Sequence, residues 1–135
     1  MDGYSFVYRD LVRFRDLDAM AHVNNAVFLT LTESARIAYF SALGAGDDPL
    51  QNLILARVEV DFRSPITFGE EIEVGVRTSR MGTKSFELEY EVRADGRLAA
   101  EGKSVLVGYD YERGESVAIP GEWREWLQPE AKATV

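Results

Sequence analysis

The chain has no cysteine, one histidine (His22) and four prolines in 135 residues. The lack of cysteine excludes disulfide frameworks, Cys-zinc sites and thiol nucleophiles. A lone histidine excludes a multi-histidine metal centre, so neither a metal nor a cofactor is expected. Cations are scarce: 15 Lys and Arg stand against 23 Asp and Glu, a formal net charge of −8. Nucleic-acid affinity depends on clustered Lys and Arg, so a nucleic-acid partner is not expected. No run approaches the ~18 apolar residues of a membrane span, so no membrane partner is expected either. Met1-Asp2-Gly3-Tyr4 opens acidic, without the apolar core of a signal peptide, and the expected compartment is the cytoplasm.

What is present is the balance of an ordinary globular domain, with 46% apolar and 28% charged residues. Seven Phe, six Tyr and two Trp supply surface to bury. One domain is expected over residues 1–128, with a loose tail at 129–135. Chains of this size bury roughly two-thirds of their unfolded surface, enough for a core.

The pattern along the chain is one strand, one helix, then more strands. Tyr4 to Phe14 alternates imperfectly and reads as a strand with one wetter face. Arg15 to Asn25 is polar and irregular, a loop. Asn25 to Leu43 reads as a helix that is apolar over most of its circumference, hence buried. Asn24 and Asn25 are candidate N-caps, and Gly44 and Gly46 candidate stops.

Four strands follow. Ala56, Val58, Val60 and Phe62 alternate with charges, as do Ile72, Val74 and Val76, and then Phe86, Leu88, Tyr90 and Val92. Gly82 marks a turn, and Asp95-Gly96 is a two-residue hairpin signal. The last strand, Arg97 to Tyr111, is apolar on both parities at Val105, Leu106 and Val107. Pro120 to Leu127 reads as a short closing helix. Strands joined by short turns are antiparallel, so the class is α+β: one five-stranded antiparallel sheet with a face on a long central helix. The opposite face, with mixed charges, is expected to meet solvent.

The stretch Arg13 to Asn25 gathers two carboxylates, the only histidine and two amides just before the helix. A carboxylate can attack a carbonyl or activate water. A helix N-terminus offers unpaired N–H groups to an oxyanion. The same residue types also serve plain loop and capping roles. Composition alone leaves both readings open.

The segment Arg15-Asp16-Leu17-Asp18-Ala19-Met20-Ala21-His22-Val23-Asn24-Asn25-Ala26-Val27-Phe28, followed by Glu33-Ser34-Ala35-Arg36, resembles the signature of hotdog-fold acyl-CoA thioesterases of the 4-hydroxybenzoyl-CoA thioesterase type. Phe62-Arg63-Ser64-Pro65-Ile66, Phe68-Gly69-Glu70 and Gly82-Thr83-Lys84-Ser85-Phe86 extend the resemblance over nearly the whole chain. It implies a hotdog fold, a long helix wrapped by an antiparallel sheet, and hydrolysis of an acyl-CoA thioester. One departure is Ala21, where the family commonly has Gly. If that position needs positive φ or close approach of the acyl group, the methyl carries a cost.

By the same resemblance, Asp18 is the catalytic carboxylate, as nucleophile or general base, and Asp16 is structural. The Asn25 backbone N–H is the oxyanion donor, and Asn24 contacts substrate. His22 is a candidate for binding or proton transfer, although a thiolate leaving group needs little protonation. Glu33 either pairs with Arg36 at i+3 or, if buried, acts as a base. Arg80, Lys84 and Ser85 flank the Gly82 turn and are candidates for the nucleotide phosphates of coenzyme A. Arg57 and Arg63 are further candidates. The acyl carrier is coenzyme A or an acyl-carrier protein. The resemblance also implies a homodimer with a continuous sheet, or a homotetramer, with active sites at the subunit interface. A hotdog hydratase-dehydratase and a non-catalytic acyl-thioester binder are the alternatives. The former typically spaces Asp and His differently with a nearby Pro, which this loop lacks, and the latter has no need of Asp18.

Overall fold

The structure is a computed structural model that describes residues 1–44 and 52–129. Gly46 and most of the expected tail lie outside the described residues. Chain order is β1 (Phe6–Leu11), a 3-10 turn (Phe14–Asp16), α1 (Val27–Leu43), β2 (Leu53–Phe62), β3 (Glu71–Met81), β4 (Ser85–Ala94), β5 (Arg97–Asp110), β6 (Glu115–Ser116) and α2 (Gly121–Trp126). The sheet runs β1-β3-β4-β5-β2, with the two-residue β6 beside β5, and every pair is antiparallel. It is therefore six-stranded rather than the expected five. β6 is too short for any alternation to reveal it.

The inward parity of β3 and β4 makes the core. Ile72, Val74, Val76, Phe86, Leu88, Tyr90 and Val92 are all buried. Against them lie Phe28, Leu31, Ala35, Tyr39 and Phe40 of α1. Phe40 meets Phe86 and Trp123 edge to face, at 6.0 and 5.1 Å between ring centroids. α1 ends as expected at Gly44, whose φ of 112° suits a glycine cap. Asp95 and Gly96 take positive φ, 47° and 81°, as the hairpin requires.

Three expectations change. β1 is shorter than Tyr4–Phe14, because the 3-10 turn breaks its parity and leaves Phe14 80% exposed. α1 is buried on one side only: Leu29 is 46% exposed, and Thr30 and Glu33 also face out. The outer sheet face is not simply solvated. The N-terminal segment folds over it, and a Cβ at Gly75 would lie 2.6 Å from both Met1 Sδ and Tyr4 Cγ. The Arg77 guanidinium sits 5.1 Å from the centroid of the Tyr4 ring and pairs with Glu89. Arg77 and Glu91 are consequently buried.

A buried polar chain also ties α1 to the sheet. Arg36 Nη1 donates to Tyr90 Oη at 3.3 Å, and Tyr90 Oη meets Ser104 Oγ at 2.6 Å. Burial pushes the Tyr90 phenol above its ordinary pKa, against the pull of Arg36. Glu33 lies at 4.0 Å from Arg36 and is exposed, so the i+3 pair is the geometry found. The strand bearing Val105, Leu106 and Val107 is interior to the sheet, between β4 and β2, and Leu106 is buried.

Candidate active site

The loop between the 3-10 turn and α1 is a tight turn built on Asp18. Asp18 N donates to His22 O at 2.7 Å, and Ala21 N donates to Asp18 O at 3.1 Å. Asp18 Oδ1 accepts two backbone hydrogen bonds, from Met20 at 2.8 Å and His22 at 3.2 Å. These bonds fix the carboxylate and leave Oδ2 with no partner among the described residues. The turn closes with Ala21 at φ 60°, the left-handed region. This is the position where the family commonly carries Gly, and its methyl is tolerated at a cost in strain.

Asp16 is buried and structural: its Oδ2 accepts Arg13 N–H at 2.9 Å, and its carbonyl accepts Asn24 N–H at 2.8 Å. The loop is stapled to the chain after β2 by Val23 N–H to Ile66 O, 2.8 Å, and a bridge between His22 and Thr67. Arg97 secures that second segment through Ser64 Oγ, the Pro65 carbonyl and Glu70. Arg97 has no signal in the sequence, because its partners lie about thirty residues away.

The helix entry is built to leave one donor free. Val27, Phe28 and Leu29 N–H groups bond to Asn24, Asn25 and Ala26 carbonyls, a tight first turn. Asn24 Oδ1 accepts Ala26 N–H at 2.9 Å, so Asn24 is the residue that caps. The Asn25 N–H finds no acceptor among the described residues.

A cleft of about 280 Å³ is lined by Asp18, His22, Val23, Asn25, Phe28 and the Phe62–Pro65 segment. Phe28 and Phe62 meet edge to face at 5.0 Å and form its apolar floor. The structure thus brings Asp18, His22 and Asn25 together. Asn24, expected to contact substrate, lies outside the cleft with its amide oxygen engaged in capping.

Arg80, Lys84 and Ser85 are not brought to the cleft within one chain. The turn between β3 and β4 sits beside Gly108 and hence Leu53, the start of β2. Asp18 sits beside the other end of β2, at Phe62. The ten residues of β2 separate the two groups by about 30 Å at ~3.3 Å per residue.

A long helix laid against an antiparallel sheet of this strand order is the architecture of the hotdog class. The Thioesterase-like superfamily pattern matches residues 12–127. The chain belongs to that superfamily, which places it among hydrolases of thioesters. A solved thioesterase from Thermus thermophilus, complexed with coenzyme A and Zn, is 42% identical with a TM-score of 0.87 and 95% of each chain covered. A 1,4-dihydroxy-2-naphthoyl-CoA hydrolase from Trichodesmium erythraeum is 30% identical, covering 91% of this chain and 95% of the relative. The long-chain acyl-CoA thioesterase FadM of Escherichia coli is 25% identical, covering 90% of this chain and 96% of the relative.

Proposed function

We propose that the protein hydrolyses an acyl-CoA thioester to the free acid and coenzyme A, using Asp18 as the reacting carboxylate and the Asn25 N–H as oxyanion donor. The observation that carries this reading is that both residues line one cleft: Asp18, whose carboxylate is held by two backbone N–H groups, and Asn25, whose helix-entry N–H has no acceptor among the described residues. Asp18 either attacks the thioester carbon, giving an anhydride that water then cleaves, or takes a proton from the water that attacks. In both routes the carbonyl oxygen becomes an anion, and a donor aimed at it lowers the barrier by ~3–4 kcal/mol. The leaving thiolate is stable near neutral pH, so no general acid is required. His22 lines the same cleft and serves to bind substrate or move a proton.

The working unit is a homodimer. β2 is a sheet edge, and its neighbourhood exposes Ile54, Leu55, Val58 and Phe62, with Leu29 from α1. Proteins pair or cover such edges. Antiparallel pairing of two β2 strands about a two-fold axis sets the Leu53 end of one copy beside the Phe62 end of the other. Each Asp18 cleft then lies near the partner's Arg80, Lys84 and Ser85, which receive the nucleotide phosphates.

The test is thiol release across aromatic, long-chain and short-chain acyl-CoAs, with acyl-carrier-protein thioesters as a further arm. The names of the relatives make aromatic and long-chain acyl groups the first to try. Release of coenzyme A is expected. Hydration of an enoyl-CoA with no thiol released would replace this reading with a hydratase.

A further inference from the structure

We propose that Arg124, on α2, is a positioning residue for coenzyme A recognition, acting by shaping the turn between β3 and β4; the inference rests on the thioesterase reading above. The turn is held by hydrogen bonds from three other parts of the chain. Arg124 Nη2 donates to both the Gly82 and Thr83 carbonyls, at 2.8 and 2.6 Å. Thr83 O also accepts Ile119 N–H at 3.0 Å, Lys84 O accepts Gly108 N–H at 2.8 Å, and Ser85 O accepts Gly82 N–H at 2.7 Å. Four successive carbonyls, Gly82 to Ser85, are therefore engaged as acceptors.

The outward side is left to donors and cations. The Thr83 and Lys84 N–H groups have no acceptor among the described residues, and the Thr83, Lys84 and Arg80 side chains are exposed. A turn whose carbonyls are already engaged, and which keeps free N–H groups beside exposed cations, presents donors rather than acceptors to an anion. In a chain of net charge −8 this matters, because a phosphate must be held locally against the field of the whole surface. Freed carbonyls would present partial negative charge to that phosphate.

α2 is a firm base for this task. Trp123 packs on Phe40 and Trp126 at 5.1 and 5.4 Å, and Leu127 is fully buried. Arg124 is the link from that anchor to the turn. Its guanidinium supplies a charge-assisted donor shared by two carbonyls, stronger than a neutral one.

The experiment compares wild type, Arg124→Met and Arg124→Lys. Met keeps the stem but removes the donors, and Lys restores one donor head. Calorimetric titration with coenzyme A and with pantetheine, which lacks the nucleotide, is paired with kinetics on acyl-CoA and acyl-pantetheine. Melting curves confirm that each variant is folded. Arg124→Met is expected to weaken coenzyme A binding and raise KM for acyl-CoA about tenfold, since small misplacements of binding groups carry costs up to 10². The kcat on acyl-CoA and all pantetheine values should stay unchanged, and Arg124→Lys should recover most of the loss. Equal loss on pantetheine and coenzyme A, or no loss on either, would overturn the proposal. Wild type that binds coenzyme A yet releases no thiol would fail the thioesterase reading alone, because the binding arm still judges Arg124. Wild type that does not bind coenzyme A would overturn both.

Discussion

At the scale of single residues, the loop from Asp16 to Asn25 is the proposed seat of the chemistry, and its order comes from backbone bonds, several of them to side-chain oxygens. Asp16 and Asp18 are two residues apart yet have opposite fates. One is buried against Arg13; the other lines the cleft and has one carboxylate oxygen without a partner among the described residues. Residue types and spacing alone do not separate them; the family resemblance does. Ala21 is a point of strain, with φ at 60°. An L-residue in that region costs ~1–2 kcal/mol, and glycine gives back ~0.5–1 kcal/mol through its freer unfolded chain. Ala21→Gly is therefore expected to stabilise the fold by about 0.5–1 kcal/mol. Urea unfolding checks it, with a higher midpoint at unchanged slope. A lower midpoint would mean that the methyl makes a packing contact worth more than the strain.

At the scale of elements, legibility follows how local the causes are. β3, β4 and their hairpin were readable because alternation and Asp95-Gly96 act within a few residues. α1 was readable from its length and from Gly44. The start of β2 was missed, since Leu53-Ile54-Leu55 is apolar without alternation. The N-terminal cover over β3 was missed because it depends on Gly75 leaving room for Tyr4, about seventy residues away. Burial pushes the Tyr4 phenol up to about 12, with Arg77 pulling the other way. A raised phenol pKa means that the fold prefers the neutral form. The contribution is fully present below pH 10, the ordinary tyrosine value, and is lost as pH climbs through about 12. Stability of wild type should thus fall more steeply between those limits than that of Tyr4→Phe, read from unfolding midpoints at stepped pH. Parallel falls in the two proteins would show that the N-terminal segment is not seated on β3.

At the scale of the whole molecule, the central proposal is a site divided between two chains. The proposed reacting carboxylate, Asp18, and the proposed phosphate contacts lie toward opposite ends of β2, about 30 Å apart. Both were named from sequence, but their separation was not readable, because register between β2, β4 and β5 is a tertiary property. The proposed two-fold dimer through β2 would make one site from two chains, and this is testable with hybrids. Asp18→Asn and Lys84→Glu chains, differently tagged and purified as heterodimers, should recover about half the wild-type kcat/KM. Each parent homodimer stays impaired, while the hybrid holds one site with both groups intact. A hybrid no better than its parents would place both groups in the same chain's site or remove Lys84 from the site. No helix among the described residues is long and apolar enough to cross a membrane, and the exposed apolar residues at β2 are the proposed surface for a second copy.

Hydrolysis of a responsive acyl-CoA by Asp18→Asn tests the account most directly. The amide oxygen can still accept the Met20 and His22 N–H bonds, so the loop should keep its shape and the protein its melting temperature. The substitution removes the base or nucleophile, and turnover is expected to fall by about 10²–10⁴. Wild-type turnover in a folded Asp18→Asn protein would contradict the assignment of the reacting carboxylate.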